Sequence, residues 1–431
     1  MINPMMRTDP ERISLRCGAG KVCITPPSVL LPRLYGLMNQ RFGGVLDDIF
    51  VRVIALESRG KRMLLADFDL DKAPYPAEWM KELSERWNVP EEYILYTAIH
   101  THTAPLTDPR PLDGPNAKAR KTPDQQAATD EYECLVHDAL FQAAEKAFDS
   151  MKPVRFGCST AESYINVNRN VDYADGCFPG YNSTGDVDRK LTAAMFADEK
   201  GVPVAYMLNY AVHNAVMHRN TAADGMLGVS ADLGGNICKK LEEENPGAVA
   251  VWTSGAAGDV NPVLMNEVCY PDPVSGKKVT AYISGDQILP LRILLGYHLE
   301  DVKKAISTIV PGQENPVLGG TVRWVYTPGK NGTEYAVRIH GLRIGPLVLC
   351  GFSGELYTSF GRLVQRLSPF PATAVINHDA TFLSNAGYIL DDDGLARGAL
   401  GSRHSCLQPG YLAEAFQREL QTLFSELEDV E

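Results

Sequence analysis

The stretch YILYTAIHTHTAPLTDP, residues 93–109, joins a short apolar run to two histidines one residue apart. A brief run rich in β-branched and aromatic residues reads as a buried strand. His100 and His102 therefore stand at its carboxyl end. Imidazole is both a common metal ligand and a proton carrier near neutral pH. The pair can thus be a fragment of a metal site, a proton-transfer group, or part of an exposed loop. If residues 100–102 are extended, both rings point to one face, roughly 6–7 Å apart along the backbone, within reach of a single ion.

The same pattern recurs along the chain. VPVAYMLNYAV (202–212) runs into His213, PLVLCGFSG (346–354) into Glu355 and AVAVWTSGAAG (248–258) into Asp259, while RMLLA (62–66) delivers Asp67 and Asp69. Open α/β sheets bind ligands beyond the carboxyl ends of their strands. Repeated delivery of polar groups there points to a site. Two histidines, a carboxylate and an open position satisfy catalytic zinc.

Further strand-like runs are DIFVRVIALES (48–58), YAVRIHGLRIG (335–345) and PATAVINH (371–378). They alternate with amphipathic patterns at 78–87, 132–148, 232–244, 291–309 and 411–427. Such alternation predicts an α/β fold. No proline- or serine-rich linker divides the 431 residues, so the expectation is one large multilayer domain spanning 1–431. Two irregular segments, near 107–130 and 265–280, read as loop insertions. Both follow site loops and could act as a lid.

Composition narrows the partners. A net charge of −12 and the absence of a long basic run argue against nucleic acid. No apolar stretch approaches the ~20 residues needed to span a bilayer. The opening MINPMMRTDPERISLRCG lacks an apolar secretion core, so the expected location is cytoplasmic unless an export signal once preceded it. Nine scattered cysteines with no C-x-x-C pair suggest neither a disulfide framework nor a thiolate zinc knuckle. TSGAAGDVNP (253–262) has small residues that let a backbone approach a ligand, although Asp259 could equally cap a structural turn. There is no P-loop lysine and no G-x-G-x-x-G at a strand–helix junction, and GFSGE departs from G-x-S-x-G. A small-molecule substrate is the partner class left. The oligomeric state is not set by the sequence.

Eight segments, in order, resemble the amidohydrolase domain of the neutral/alkaline non-lysosomal ceramidase family. GAGKVCITPP resembles that family's GxxxxDITPP, with Cys23 at the usual acidic position, and AIHTHTAP resembles ATHTHSGP. NVNRN (166–170) resembles NINRS, and NYAVHNAVM resembles its histidine-terminated strand. SADLGG and AAGDVNP follow, then SGELYTSFGRLV, similar to PGEFTTMAGRRL, and LSNAGYIL, similar to LSNxYxxYxTT. The resemblance implies a four-layer α-β-β-α domain and a Zn²⁺ ion held by His100, His213, Glu355 and Tyr388. It gives His102 the role of orienting the substrate carbonyl or moving a proton, and puts Arg169 beside the site. The C-terminal β-sandwich domain of true ceramidases is not expected, because the chain ends soon after the 411–427 helix.

One departure bears on chemistry. The family hexapeptide GDVSPN reads GDVNPV here, with Asn261 in place of a serine proposed as nucleophile. An amide cannot be that nucleophile. The expectation is therefore a zinc-dependent hydrolase of an amide (N-acyl) bond, attacked by zinc-activated water, with His102, Arg169 and Asn261 as catalytic groups. The alternatives are a zinc esterase or carbonyl hydrolase for a small polar substrate, and a metal-containing binding protein without turnover.

Overall fold

The computed structural model describes residues 14–37, 40–74, 76–107, 122–222, 225–384 and 386–430. Its first sheet is built around FVRVIALES, the strand Phe50–Ser58. Residues 51–56 are all buried: Val51, Val53 and Ala55 pack on one face, Ile54 and Leu56 on the other. A sheet covered on both faces calls for a mainly apolar run, interrupted here by Arg52, which is buried against Asp69. The strand order is Ile94–Ala98, Lys61–Phe68, Phe50–Ser58, Arg16–Cys23, Lys152–Pro153. The first two are parallel and the other neighbours antiparallel.

The long helix Pro123–Asp149 lies on the outer face. Two glycines let it come close. A Cβ on Gly18 would stand 1.9 Å from the Ala147 carbonyl oxygen, and one on Gly20 would stand 2.0 Å from that of Ala143. The glycines of CGAGKVCITPP thus serve helix-on-sheet contact.

The second β layer holds two four-stranded sheets. One runs Val249–Ser254, Pro203–Tyr210, Lys190–Ala197, Arg155–Glu162. The other runs Leu318–Pro328, Glu334–Ile344, Leu347–Phe352, Ala372–Ile376. They are joined where Asn209 Nδ2 donates to the Val375 carbonyl at 2.7 Å and Lys190 Nζ to that of Thr373 at 2.9 Å. Leu56, Leu65 and Leu95 of the first layer meet Phe196, Met207 and Leu349 of the second. Beyond it, helices Asp232–Glu244 and Leu289–Ser307 cover one sheet, and Thr358–Leu367 and Leu412–Glu428 cover the other. The architecture is α-β-β-α, as expected. No helix among the described residues is long and apolar enough to cross a membrane.

The two irregular segments differ from their reading as loops. In the first, residues 108–121 lie outside the described residues, and the rest begins the long helix. That helix starts at Pro123, before the apolar period at 132, because Thr122 and Gln125 form a reciprocal capping box. The second folds as a hairpin, Glu267–Pro271 against Lys278–Tyr282. Helix Thr358–Leu367 was not anticipated; it begins within the segment SGELYTSFGRLV, between two strands.

Asp379 clamps the two β layers. Its Oδ1 accepts from the Tyr96 amide at 3.2 Å, and its Oδ2 from Arg338 Nη1 at 2.7 Å and His340 Nδ1 at 2.8 Å. Burial alone would raise the carboxyl, but the charges of Arg338 and His340 hold it below its ordinary value of 3.8. A depressed carboxylate contributes stability above its unfolded value and loses it as pH falls through the folded one. Asp379→Asn leaves a buried guanidinium unpaired and should cost about 3–5 kcal/mol at pH 7. Urea unfolding should show the gap to wild type narrowing as the pH drops below about 4. A pH-independent gap would contradict this role.

Candidate active site

Each β layer ends its parallel strand pairs on the same side. Lys61–Phe68 and Ile94–Ala98 are parallel, as are Pro203–Tyr210 with Val249–Ser254, and Leu347–Phe352 with Ala372–Ile376. Just past these ends come Asp71, His100, His213, Glu355 and His378. His100 turns in the left-handed region at φ 65°. The turn is held by Thr101, whose amide donates to the Leu70 carbonyl at 3.1 Å and whose hydroxyl donates to that of Ser230 at 3.0 Å.

The tautomers follow from backbone partners. His100 Nδ1 lies 2.7 Å from the Asp71 carbonyl oxygen, and His213 Nδ1 lies 3.1 Å from that of Val260. A carbonyl can only accept, so each Nδ1 carries a proton, and each ring presents a lone pair on Nε2 when it is neutral. Those lone pairs meet a carboxylate. Glu355 Oε2 stands 3.2 Å from His213 Nε2 and 3.6 Å from His100 Nε2. His213 Nε2 and Glu355 Oε2 are buried with no hydrogen-bond partner. Acceptors facing one another in a dry site repel unless a proton or a metal cation lies between them.

The residues therefore fit a metal ion. His102 is part of the same group, with its Nε2 3.2 Å from that of His100, and His378 stacks on His100 at 3.9 Å between ring centroids. His100, His102 and His213 form one possible ligand set and His100, Glu355 and His378 another, with ligand atoms within 4.8 Å of one another in each. Neutral imidazole and carboxylate are the donors that suit zinc.

The charges agree. Burial would raise the Glu355 carboxyl, yet His100 and His213 hold it well below the usual range. Burial would lower His100, yet the carboxylates of Glu355 and Asp71 push it up to about 10. Burial, with Arg169 next, takes His213 down to about 4. Burial and the charge of His100 take His102 and His378 well below their ordinary value.

Tyr388 sits in parallel register with Glu355, and its hydroxyl accepts from Arg169 Nη2 at 3.0 Å. Burial and the Glu355 charge raise this phenol well above its ordinary value. It is a neutral donor that a metal would have to deprotonate. Arg169 lies on the strand Asn166–Tyr173, which pairs with Val260–Pro262. Its guanidinium is buried and also donates to the Gly258 carbonyl at 2.7 Å and to Asn261 Oδ1 at 3.2 Å.

His100, His102, Arg169, Asn261, Glu355 and Tyr388 all line one cavity of about 340 Å³. Its other walls include Leu37, Asp71, Lys72, Met265, Glu267, Leu400, His218 and His404. Three strand-end acids go elsewhere. Asp67 Oδ2 accepts from the Trp252 amide, and Asp69 pairs with buried Arg52 at 2.8 Å. Asp259 Oδ1 accepts from the Thr358 amide at 2.9 Å, capping the helix start, which is the structural alternative for that residue. His378, Asp71, His218 and His404 were not picked out from the sequence. His378 ends the strand-like run PATAVINH, so the rule that found His213 would have found it.

No family model and no curated protein sequence matches the chain. Solved structures do. Neutral ceramidase from Pseudomonas aeruginosa superposes with a TM-score of 0.73 at 16% identity, covering 97% of this chain and 75% of its own. A ceramidase complexed with C2 gives 0.69 at 16% identity, with 96% and 75% covered. The fold is that of the neutral ceramidases. The sequence resemblance and the superposition agree on this point, and at such identity the likeness speaks for the fold.

Ligand and non-ligand roles separate by substitution. His213→Ala should lower divalent-metal affinity by more than the roughly 10–100-fold typical of outer-shell changes. His102→Ala should keep stoichiometric metal. Metal analysis after dialysis reads both, and loss of metal from His102→Ala would reverse its assignment.

Proposed function

We propose that the chain is a zinc-dependent hydrolase of an amide (N-acyl) bond. The observation that carries this reading is the convergence of His100 Nε2, His213 Nε2 and Glu355 Oε2 on one point, beside a cavity lined by Arg169 and Asn261. The ceramidase fold supports it, because the solved neighbours are named for an enzyme that cleaves an amide. His100, His213, Glu355 and Tyr388 would hold the ion. When bound, Zn²⁺ supplies Lewis-acid activation of water and of the scissile carbonyl.

The chain's own groups do the rest. His102, kept neutral by burial and by neighbouring imidazole charge, accepts a proton at Nε2 and returns it to the departing amine. Arg169 keeps its charge and lines the cavity, where it would stabilise a developing oxyanion. Because a guanidinium only donates, Arg169 Nη1 fixes the Asn261 amide with Oδ1 toward itself and Nδ2 turned away. Asn261 then donates Nδ2–H to a substrate oxygen in the cavity. With no serine at this position, hydrolysis proceeds without an acyl-enzyme.

The test is turnover of N-acyl compounds of graded chain length against esters with the same acyl groups. Amine release should appear in zinc-loaded protein, vanish with chelator and return with zinc. Asn261→Ala should lower kcat roughly 100-fold, as loss of one oxyanion donor does. Cleavage of esters alone would favour the esterase reading, and no cleavage of either would favour a binding protein.

A further inference from the structure

The cavity holds a cation that its own walls do not neutralise. Lys72 follows Asp71 in the turn after strand Lys61–Phe68; it is half-buried and lines the cavity beside the cluster. Among the described residues no carboxylate lies within ion-pair distance of it and no hydrogen bond satisfies it. The acids nearby are committed. Glu355 faces two imidazoles, Asp71 Oδ1 lies 3.2 Å from His100 Nδ1, and Glu267 Oε2 lies 3.5 Å from Arg219 Nε. The second cation of the cavity, Arg169, spends its bonds on uncharged oxygens: the Gly258 carbonyl, the Asn261 amide and the Tyr388 hydroxyl. The same lining includes Leu37, Met265 and Leu400, apolar surface that suits an acyl chain.

We infer that the substrate is an anionic amide, an N-acyl compound carrying a carboxylate that Lys72 recognises. The inference rests on the amide-hydrolase reading above and names its substrate class. A partly enclosed cation beside low-dielectric walls raises the local concentration of anions and makes strong charge-assisted bonds with them. An ammonium is a point charge that imposes no planar geometry. The carboxylate can therefore sit on the amine half, as in an N-acyl amino acid, or at the far end of the acyl half.

Three probes of one chain length separate these sources: an N-hexanoyl amino acid, its neutral carboxamide, and an amine acylated by a dicarboxylic acid. One of the two anionic probes should exceed the carboxamide in kcat/KM, by about tenfold or more. In Lys72→Met that ratio should fall by about tenfold, the order of a lost charge-assisted contact. Lys72→Glu should invert it, and Lys72→Arg should retain part of it. Equal kcat/KM for neutral and anionic probes, unchanged in Lys72→Met, would overturn the inference and leave amide hydrolysis standing. Should no amide be cleaved at all, calorimetric binding of the same three probes still decides. Preference for a carboxylate probe that disappears in Lys72→Met upholds the anion site, and equal binding of all three removes it.

Discussion

Two hydrogen bonds to main-chain carbonyls set the chemistry of this molecule. By accepting from Nδ1 of His100 and His213, Asp71 and Val260 set both rings, when neutral, to present a lone pair on Nε2. Glu355 brings a third acceptor to the same point. The cluster suits a cation, because hydrogen bonds to the main chain outside it orient the two rings toward one point.

Holding that arrangement costs the fold something elsewhere. His100 and His378 both adopt left-handed backbone conformations, at φ 65° and 64°, each worth roughly 1–2 kcal/mol of strain for an ordinary residue. The surroundings over-determine them. Thr101 is tied to Leu70 and Ser230, and Asp379, next to His378, is clamped by Tyr96, Arg338 and His340. Strain at a site, compensated by the packing around it, is the usual mark of a functional position.

Much of this was legible in the sequence, and the misses are instructive. Every strand-end residue that reaches the cluster lies two or three positions past its strand: His100 after Ala98, His378 after Ile376, His213 after Tyr210, Glu355 after Phe352 and Asp71 after Phe68. Asp67 is still within its ladder, opposite Thr97, and Asp69 is one residue beyond, where both serve the core. Asp259, five positions past Ser254, has turned away to cap a helix. Apolar runs locate strand ends to within a residue or two, which is the distance that separates a core acid from a ligand. The hairpin at 267–282 escaped because its residues are mostly half-exposed and lack a strong period. The Thr122–Gln125 box marks the true start of the long helix, nine residues before its apolar pattern does.

X-ray absorption at the zinc edge, on protein reconstituted with zinc after chelation, tests the convergence at His100, His213 and Glu355 most directly. The expected result is one zinc per chain, with a first shell of nitrogen and oxygen, multiple-scattering features of about two imidazoles, and no sulfur. Failure to take up stoichiometric zinc, or a shell containing sulfur from any of the nine cysteines, would contradict it.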